Sequence, residues 1–322
     1  MVLKSFRLSY GFWHRFFPNS SKLVSPQSIL FEIWDIEKRV RENKWNPGIT
    51  GVENVTFSNI GDKFVITGGW HTSSPNKSTL RIYDADTLNC IDEFSLMEPC
   101  SNPKFTCDDK NLIFGTREGK IYDYCLEEKT LTAIYSLEGH MINLIHHGKH
   151  NNRLYVSATK VANEQNNWAE DFILEYNIEE HRGRKINFAD ENSIYKLLGQ
   201  PGGRLSGLSL FGENLAILTT RYYDKVASEA KTHIYNTASG KLALVKENFK
   251  VSSDPFDENS CIVWNNSGNK LAFIGVEEVY VVDIESNSET AIQFENATSV
   301  EFSNCGMGLA VGGEKAKLFK IE

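Results

Sequence analysis

The 322-residue chain has no continuous apolar run of the roughly 20 residues that a membrane helix requires. Its N-terminal stretch, MVLKSFRLSYGFWHRFF, is aromatic, but Lys4, Arg7, His14 and Arg15 interrupt it and no small-residue cleavage site follows. Together these absences predict a cytoplasmic or nuclear protein that does not engage membranes. The six cysteines are scattered, with no C-x-x-C pair, which predicts reduced thiols rather than a disulfide framework. Sequons such as NVT and NKS occur, but without a secretory signal they are not read as glycan sites. An excess of basic charge is also missing: 34 Lys and Arg face 42 Asp and Glu, a formal net charge of −8. Duplex nucleic acid is therefore not an expected partner, because its phosphates need many neutralising cations.

Motifs of chemistry are missing too. There is no G-x-S-x-G, H-E-x-x-H, P-loop or dinucleotide fingerprint. The expectation is a protein that is not an enzyme and takes no cofactor. No convincing amphipathic helix is present either.

What the chain does contain is a repeat. An apolar residue, an aromatic or β-branched residue, and then Asp, Asn or Lys recur as IWD (33–35), IYD (82–84), IYD (121–123), EYN (175–177, irregular at its first position), IYN (234–236), VVD (281–283) and LFK (318–320). Ahead of each copy two β-rich runs flank a polar turn, as in FSNIGDKFVITGG and WNNSGNKLAFIG. After most copies comes another short run: RVRENKW, CIDEFSL, LTAIYSL, SIYKLLG, LALVKENF and TAIQF. The β-branched and aromatic content favours strands. Each unit thus reads as four strands, a to d, and such units in series are the sign of a β-propeller.

With Trp34-Asp35, Gly139-His140 and seven units in register, the chain resembles the WD-repeat family along nearly its whole length. The resemblance implies an all-β fold: a seven-bladed β-propeller of four-stranded antiparallel blades. The final unit stops after its third strand, so the lone N-terminal run VLKSFRLS is expected to complete the last blade and close the ring. One domain, 1–322, results, with blades over about 10–47, 53–97, 100–138, 140–198, 203–249, 256–294, and 297–322 plus 1–9.

The run EGHMINLIHHGKH, with His140, His146, His147 and His150, invites a metal reading. In this register, however, His146 and His147 are neighbours on one strand and face opposite sides. No thiol or acid stands at ligand spacing, so no metal is expected. The resemblance gives His140 a structural task instead: a hydrogen-bonded network with Ser157, Asp171 and Tyr176. Asp171 lies one residue nearer the aromatic than the family pattern has it.

Function is expected at the rims. By the family's architecture, d–a and b–c loops share the top face, and a–b and c–d loops the bottom. Three b–c connections read as long: WHTSSPNKST, KVANEQNNWAE and RYYDKVASEAK. They carry Trp70, Trp168, Arg221, Tyr222 and Tyr223; Arg117 sits at the same level, and Glu277 and Glu278 occupy a short b–c turn. Trp, Tyr and Arg dominate binding hot spots, so these eight are the expected partner-binding residues. On the bottom, EEHRGRKINFADEN reads as a basic c–d loop through His181, Arg182, Arg184 and Lys185.

The expected function is a non-catalytic protein–protein interaction scaffold, monomeric within a hetero-complex, that binds proteins or peptides on its top face. The alternatives are a chromatin or basic-peptide reader and a ubiquitin-ligase substrate receptor. The W-D-x-R signature of such receptors is altered here, since WDIE places Glu37 where Arg is wanted and Arg39 comes two residues late. A propeller enzyme is the remaining alternative.

Overall fold

The structure is a computed structural model; it describes residues 5–7, 14–18, 20–27, 30–49, 51–68, 78–100, 103–148, 152–160, 170–186, 198, 203–223, 227–251, 261–313 and 316–321. Among them, 28 strands form seven four-stranded antiparallel sheets. β1 (Ser5–Arg7) stands apart from its neighbours in sequence. Blade 1 is β2 (Arg15–Phe16), β3 (Lys22–Gln27), β4 (Leu30–Asp35) and β5 (Val40–Trp45). Blade 2 is β6 (Asn54–Phe57), β7 (Lys63–Gly68), β8 (Ser78–Asp84) and β9 (Cys90–Leu96). Blade 3 is β10 (Lys104–Phe105), β11 (Asn111–Gly115), β12 (Lys120–Cys125) and β13 (Thr130–Ser136). Blade 4 is β14 (His140–His147), β15 (Arg153–Lys160), β16 (Glu170–Asn177) and β17 (Arg182–Lys185). Blade 5 is β18 (Gly203–Phe211), β19 (Asn214–Tyr223), β20 (Ala227–Asn236) and β21 (Leu242–Phe249). Blade 6 is β22 (Ile262–Trp264), β23 (Lys270–Ile274), β24 (Glu278–Asp283) and β25 (Ser288–Gln293). Blade 7 is β26 (Ser299–Phe302), β27 (Gly308–Gly312) and β28 (Lys317–Lys320), completed by β1.

The ring closes as the sequence predicts. β1 pairs antiparallel with β28, Ser5 opposite Phe319 and Arg7 opposite Lys317. Burial explains the strand order. The second strand of a blade is covered on both faces by the adjoining blades, so it is a continuous apolar run, as in Phe64–Ile66, Leu112–Phe114 and Leu271–Ile274. The fourth strand is largely exposed along β5, β9 and β13 and carries the charge. The core is therefore the set of blade interfaces. Val24 and Phe31 of blade 1 meet Val55 and Phe64 of blade 2; Tyr155 and Ile173 of blade 4 meet Leu208 and Ile217 of blade 5. Phe16 and Leu23 of blade 1 meet Ala310 and Ala316 of blade 7 across the closing seam.

Strand register corrects one repeat. Trp34, Tyr83, Tyr176 and Tyr235 stand opposite Leu23, Phe64, Leu154 and Leu215. In blade 3 the residue opposite the equivalent Leu112 is Tyr124, so the repeat falls on Asp123–Cys125, two residues later than Ile121–Asp123. Tyr122 and Tyr124 share one face of β12, and a period of two offers either as the signature aromatic. The shared position ties blades together. Tyr83 Oη donates to the Pro47 carbonyl (2.6 Å), Tyr124 Oη to Asp92 Oδ2 (2.7 Å) and Tyr176 Oη to the Ile134 carbonyl (2.8 Å), each on or just beyond the outer strand of the preceding blade. The Asp or Asn that follows caps the next turn: Asp35, Asp84, Asn236 and Asp283 accept the main-chain N–H three residues on at 2.8–2.9 Å.

Two further expectations are corrected. The fourth strand of blade 4 is Arg182–Lys185, not SIYKLLG; the stretch expected as a basic c–d loop is itself the outer strand. It pairs there because Arg184 Nε meets Glu175 Oε2 at 2.6 Å across the ladder while Arg153 takes the other carboxylate oxygen. Of SIYKLLG, only Leu198 is among the described residues, and it is buried. RYYDKVASEAK is not a long loop: β19 and β20 pair as far as Tyr223 and Ala227, leaving 224–226 between them.

Candidate partner-binding surfaces

On the top face, two described turns meet between blades 2 and 3. Arg117, in the turn between β11 and β12, is exposed, and its N–H donates to the Pro99 carbonyl (3.1 Å), so that turn leans on the loop following β9. Gly119 sets the turn's shape. Its φ is +81°, and a Cβ there would lie 2.1 Å from the Leu137 carbonyl oxygen. Two residues before Pro99, Met97 is 81% exposed.

Acids lie below this edge. Glu98 is buried; its Oε1 accepts from Tyr122 Oη (2.9 Å) and Lys120 Nζ (3.4 Å), while its Oε2 is buried without a hydrogen bond. Burial pushes the Glu53 carboxyl up to about 7, against the pull of the Arg117 guanidinium. Burial likewise pushes the Cys100 thiol up to about 12, and both Glu53 and Glu98 add to that, which places the two carboxylates around one thiol. The sector is thus a cation and an exposed thioether over a partly unsatisfied acidic layer.

The other expected residues spread around the ring instead of converging. Trp70 and Trp168 lie outside the described residues. Arg221, Tyr222 and Tyr223 belong to the β19–β20 ladder, opposite Glu229, Ser228 and Ala227. Glu277 is exposed at the turn before β24. Glu278 is engaged, accepting from Gln293 Nε2 and from the Tyr280 hydroxyl, whose own pKa burial and that bond push up to about 12. Sequence reading missed Met97, Glu53 and Glu98. A methionine and two acids in short connections carry no pattern that separates them from ordinary loop residues.

The expected His140 network is also corrected. His140 Nδ1 donates to the Glu138 carbonyl (2.8 Å), and its ring stands edge-on to Phe172. Ser157 Oγ is buried with no hydrogen bond. Asp171 instead accepts from Thr159 Oγ1 (2.5 Å) and from the Leu205 N–H of the next blade (2.8 Å). The one-residue displacement of Asp171 explains the change. It stands opposite Thr159, while Ser157 faces Ile173. The histidine run does not converge on an ion. His147 Nδ1 lies 3.1 Å from Cys107 Sγ on blade 3, whereas His146 bonds the Leu208 main chain on blade 5. His150 lies outside the described residues.

On the bottom face, polar links join neighbouring a–b turns. Asp109 accepts the Asn59 and Ile60 N–H groups at 2.7 and 2.9 Å, and Asn304 Nδ2 donates to the Phe17 and Ser20 carbonyls at 2.6 and 3.0 Å. The second link spans the seam between blades 7 and 1. There a pocket of about 540 Å³ opens, walled by Phe16, Ile36, Leu318 and Phe319, with Cys305 and Met307 on one side.

No protein-family profile matches the chain, and no curated protein matches it in sequence. Solved structures do: 1412 chains match, a number that marks a widely shared fold and points to no single activity. One of them is the crystal structure of the Cps50 (Swd1) β-propeller domain of Myceliophteria thermophila, with a TM-score of 0.70 over the whole of both chains at 14% identity. At that identity the likeness is one of fold, a seven-bladed β-propeller. No helix among the described residues is long and apolar enough to cross a membrane.

Proposed function

We propose that this propeller is a non-catalytic protein-interaction scaffold that holds partner proteins of a larger assembly on its top face. The observation that carries the reading is the edge formed by Met97 and Arg117. An apolar side chain and a guanidinium stand exposed on two turns held together by a main-chain hydrogen bond, so little order is lost on binding. The ring behind them is braced at each blade interface by buried apolar clusters, which suits a rigid platform. The test uses tagged wild type and a Met97→Glu/Arg117→Glu variant of equal melting temperature. Co-purifying proteins are identified, made pure, and their affinity for both forms measured. Loss of about tenfold or more, roughly 1.4 kcal/mol, is expected. Unchanged affinity for every partner removes the top-face assignment.

One observation favours a narrower version, in which the partner segment is basic. Burial makes the Glu53 charge costly, and a Lys or Arg side chain brought beside it would offset that cost. Glu53→Gln then weakens a Lys/Arg peptide and leaves an uncharged one unaffected. A change common to both peptides argues against it.

A further inference from the structure

The seam pocket on the bottom face is preformed. Across its floor Asn304 donates to two carbonyls of the blade 1 turn. Its sides are fixed by main-chain bonds, Ile36 N–H to Ser21 O (3.0 Å) and Ile321 N–H to Met307 O (2.7 Å). Its lining is mostly apolar, and Met307 at the mouth is 58% exposed. A volume of about 540 Å³ is that of a ligand site and exceeds a packing defect.

The rim supplies the sign of the occupant. Arg39 and Lys320 line it, both are exposed, and neither forms an ion pair or side-chain hydrogen bond with the described residues. The nearby Lys38, by contrast, is held by Asp35 at 2.7 Å. Among the described residues Glu37 is the one acid on the rim, and its carboxylate acts on the Cys305 thiol. Counted over its described residues the rim is net positive, on a chain of net charge −8.

From this apolar cup and its two cations, which have no partner among the described residues, we infer a second docking site: it takes a partner peptide that places an aliphatic or aromatic side chain beside an aspartate or glutamate. The inference rests on reading the chain as a scaffold, but it uses the opposite face. Apolar burial supplies the affinity, and the rim cations orient the carboxylate and exclude basic sequences.

Cys305 serves as a built-in reporter. The Ser303 hydroxyl and the Met307 N–H hold its thiol below the usual range, so it labels readily, and it lines the pocket. A display library of random linear peptides is selected on the full chain and counter-selected on Met307→Glu. Enriched peptides are measured against wild type, Arg39→Glu/Lys320→Glu, Glu37→Gln and a variant lacking residues 1–4, each checked by thermal melt. Maleimide labelling of Cys305 is followed with and without peptide, using the exposed Cys90 as control. The expected result is a consensus of an apolar residue next to an acid. Charge reversal should weaken binding roughly tenfold, Glu37→Gln should strengthen it, and peptide should protect Cys305 but not Cys90. The inference is overturned by a basic or uncharged consensus, by indifference to charge reversal, or by unprotected Cys305. It also fails if removing residues 1–4 alone speeds Cys305 labelling, which assigns the cup to the chain's own segment, or if the wild type self-associates through it on sizing. Peptide binding by Met97→Glu/Arg117→Glu separates the two faces: unchanged affinity is expected, and a loss there overturns the seam assignment.

Discussion

At the scale of residues, the top-face acids are held against their solution preference. Glu53 titrates near 7 in the fold but near 4.5 when unfolded, so the folded chain binds the extra proton between those values. Its contribution is therefore fully present below about pH 4.5 and is lost as pH rises through 7, a change of at most about 3 kcal/mol. Glu53→Gln should raise stability above pH 7 by roughly 1–3 kcal/mol and leave it unchanged at pH 4, measured by urea melts at both values. Equal effects at the two pH values would show that Glu53 is not the buried charge described. The Arg117 guanidinium already pulls against that rise, so a partner cation that pairs with Glu53 would remove more of a standing penalty.

At the scale of elements, turns decide which strands meet. In blade 3 the Gly119 N–H donates to Thr116 O (3.1 Å) and its carbonyl accepts from Leu137 N–H (2.8 Å), with no room for a Cβ and a positive φ. Gly119→Ala should cost about 3 kcal/mol or more and displace Arg117 with it; a loss under about 1 kcal/mol in chemical denaturation would contradict the close approach. The sequence made the second strands legible because burial on both faces leaves an unbroken apolar run. It hid the fourth strand of blade 4, because an outer strand is half solvated and RGRK pairs through Glu175 rather than through apolar contacts. It left the blade 3 signature two residues out of place because Tyr122 and Tyr124 satisfy the same alternation. Of the surface, Arg117 was readable as an exposed hot-spot residue type. The seam pocket was not, since its floor bond joins positions 287 apart, and no local pattern marks such a pair.

At the scale of the whole molecule, several buried histidines set the acid limit. Burial holds His14 and His146 at about 3 and His233 at about 4, and neither ring nitrogen of His14 has a partner among the described residues. Unfolded, each takes a proton near 6.5. Their neutral forms therefore support the fold above that value, and the support is lost as pH falls below it. Glu53 works in the opposite sense over part of the window. For these four groups the unfolded chain binds about two more protons near pH 5.5, so stability should fall by about 2–3 kcal/mol per pH unit there. His14→Phe, which removes one of the three histidines, should lower that slope by about 1 kcal/mol per pH unit in guanidinium melts. An unaltered slope would mean that His14 is already protonated in the fold.

The pairing of β1 with β28 joins Ser5 to Phe319. Every other neighbouring pair of strands within a blade is made of consecutive segments, available as soon as both emerge from the ribosome. This one pair cannot form until residues 317–320 exist, so 5–7 wait through the synthesis of all the other blades. During that interval residues 5–7 lack the ladder that will hold them, and when blade 7 first forms, the outer edge of β28 is an open template for any strand. The final annealing step has the longest contact order in the molecule, so it is where translation speed, a chaperone or a competing β-edge would determine the yield of closed rings.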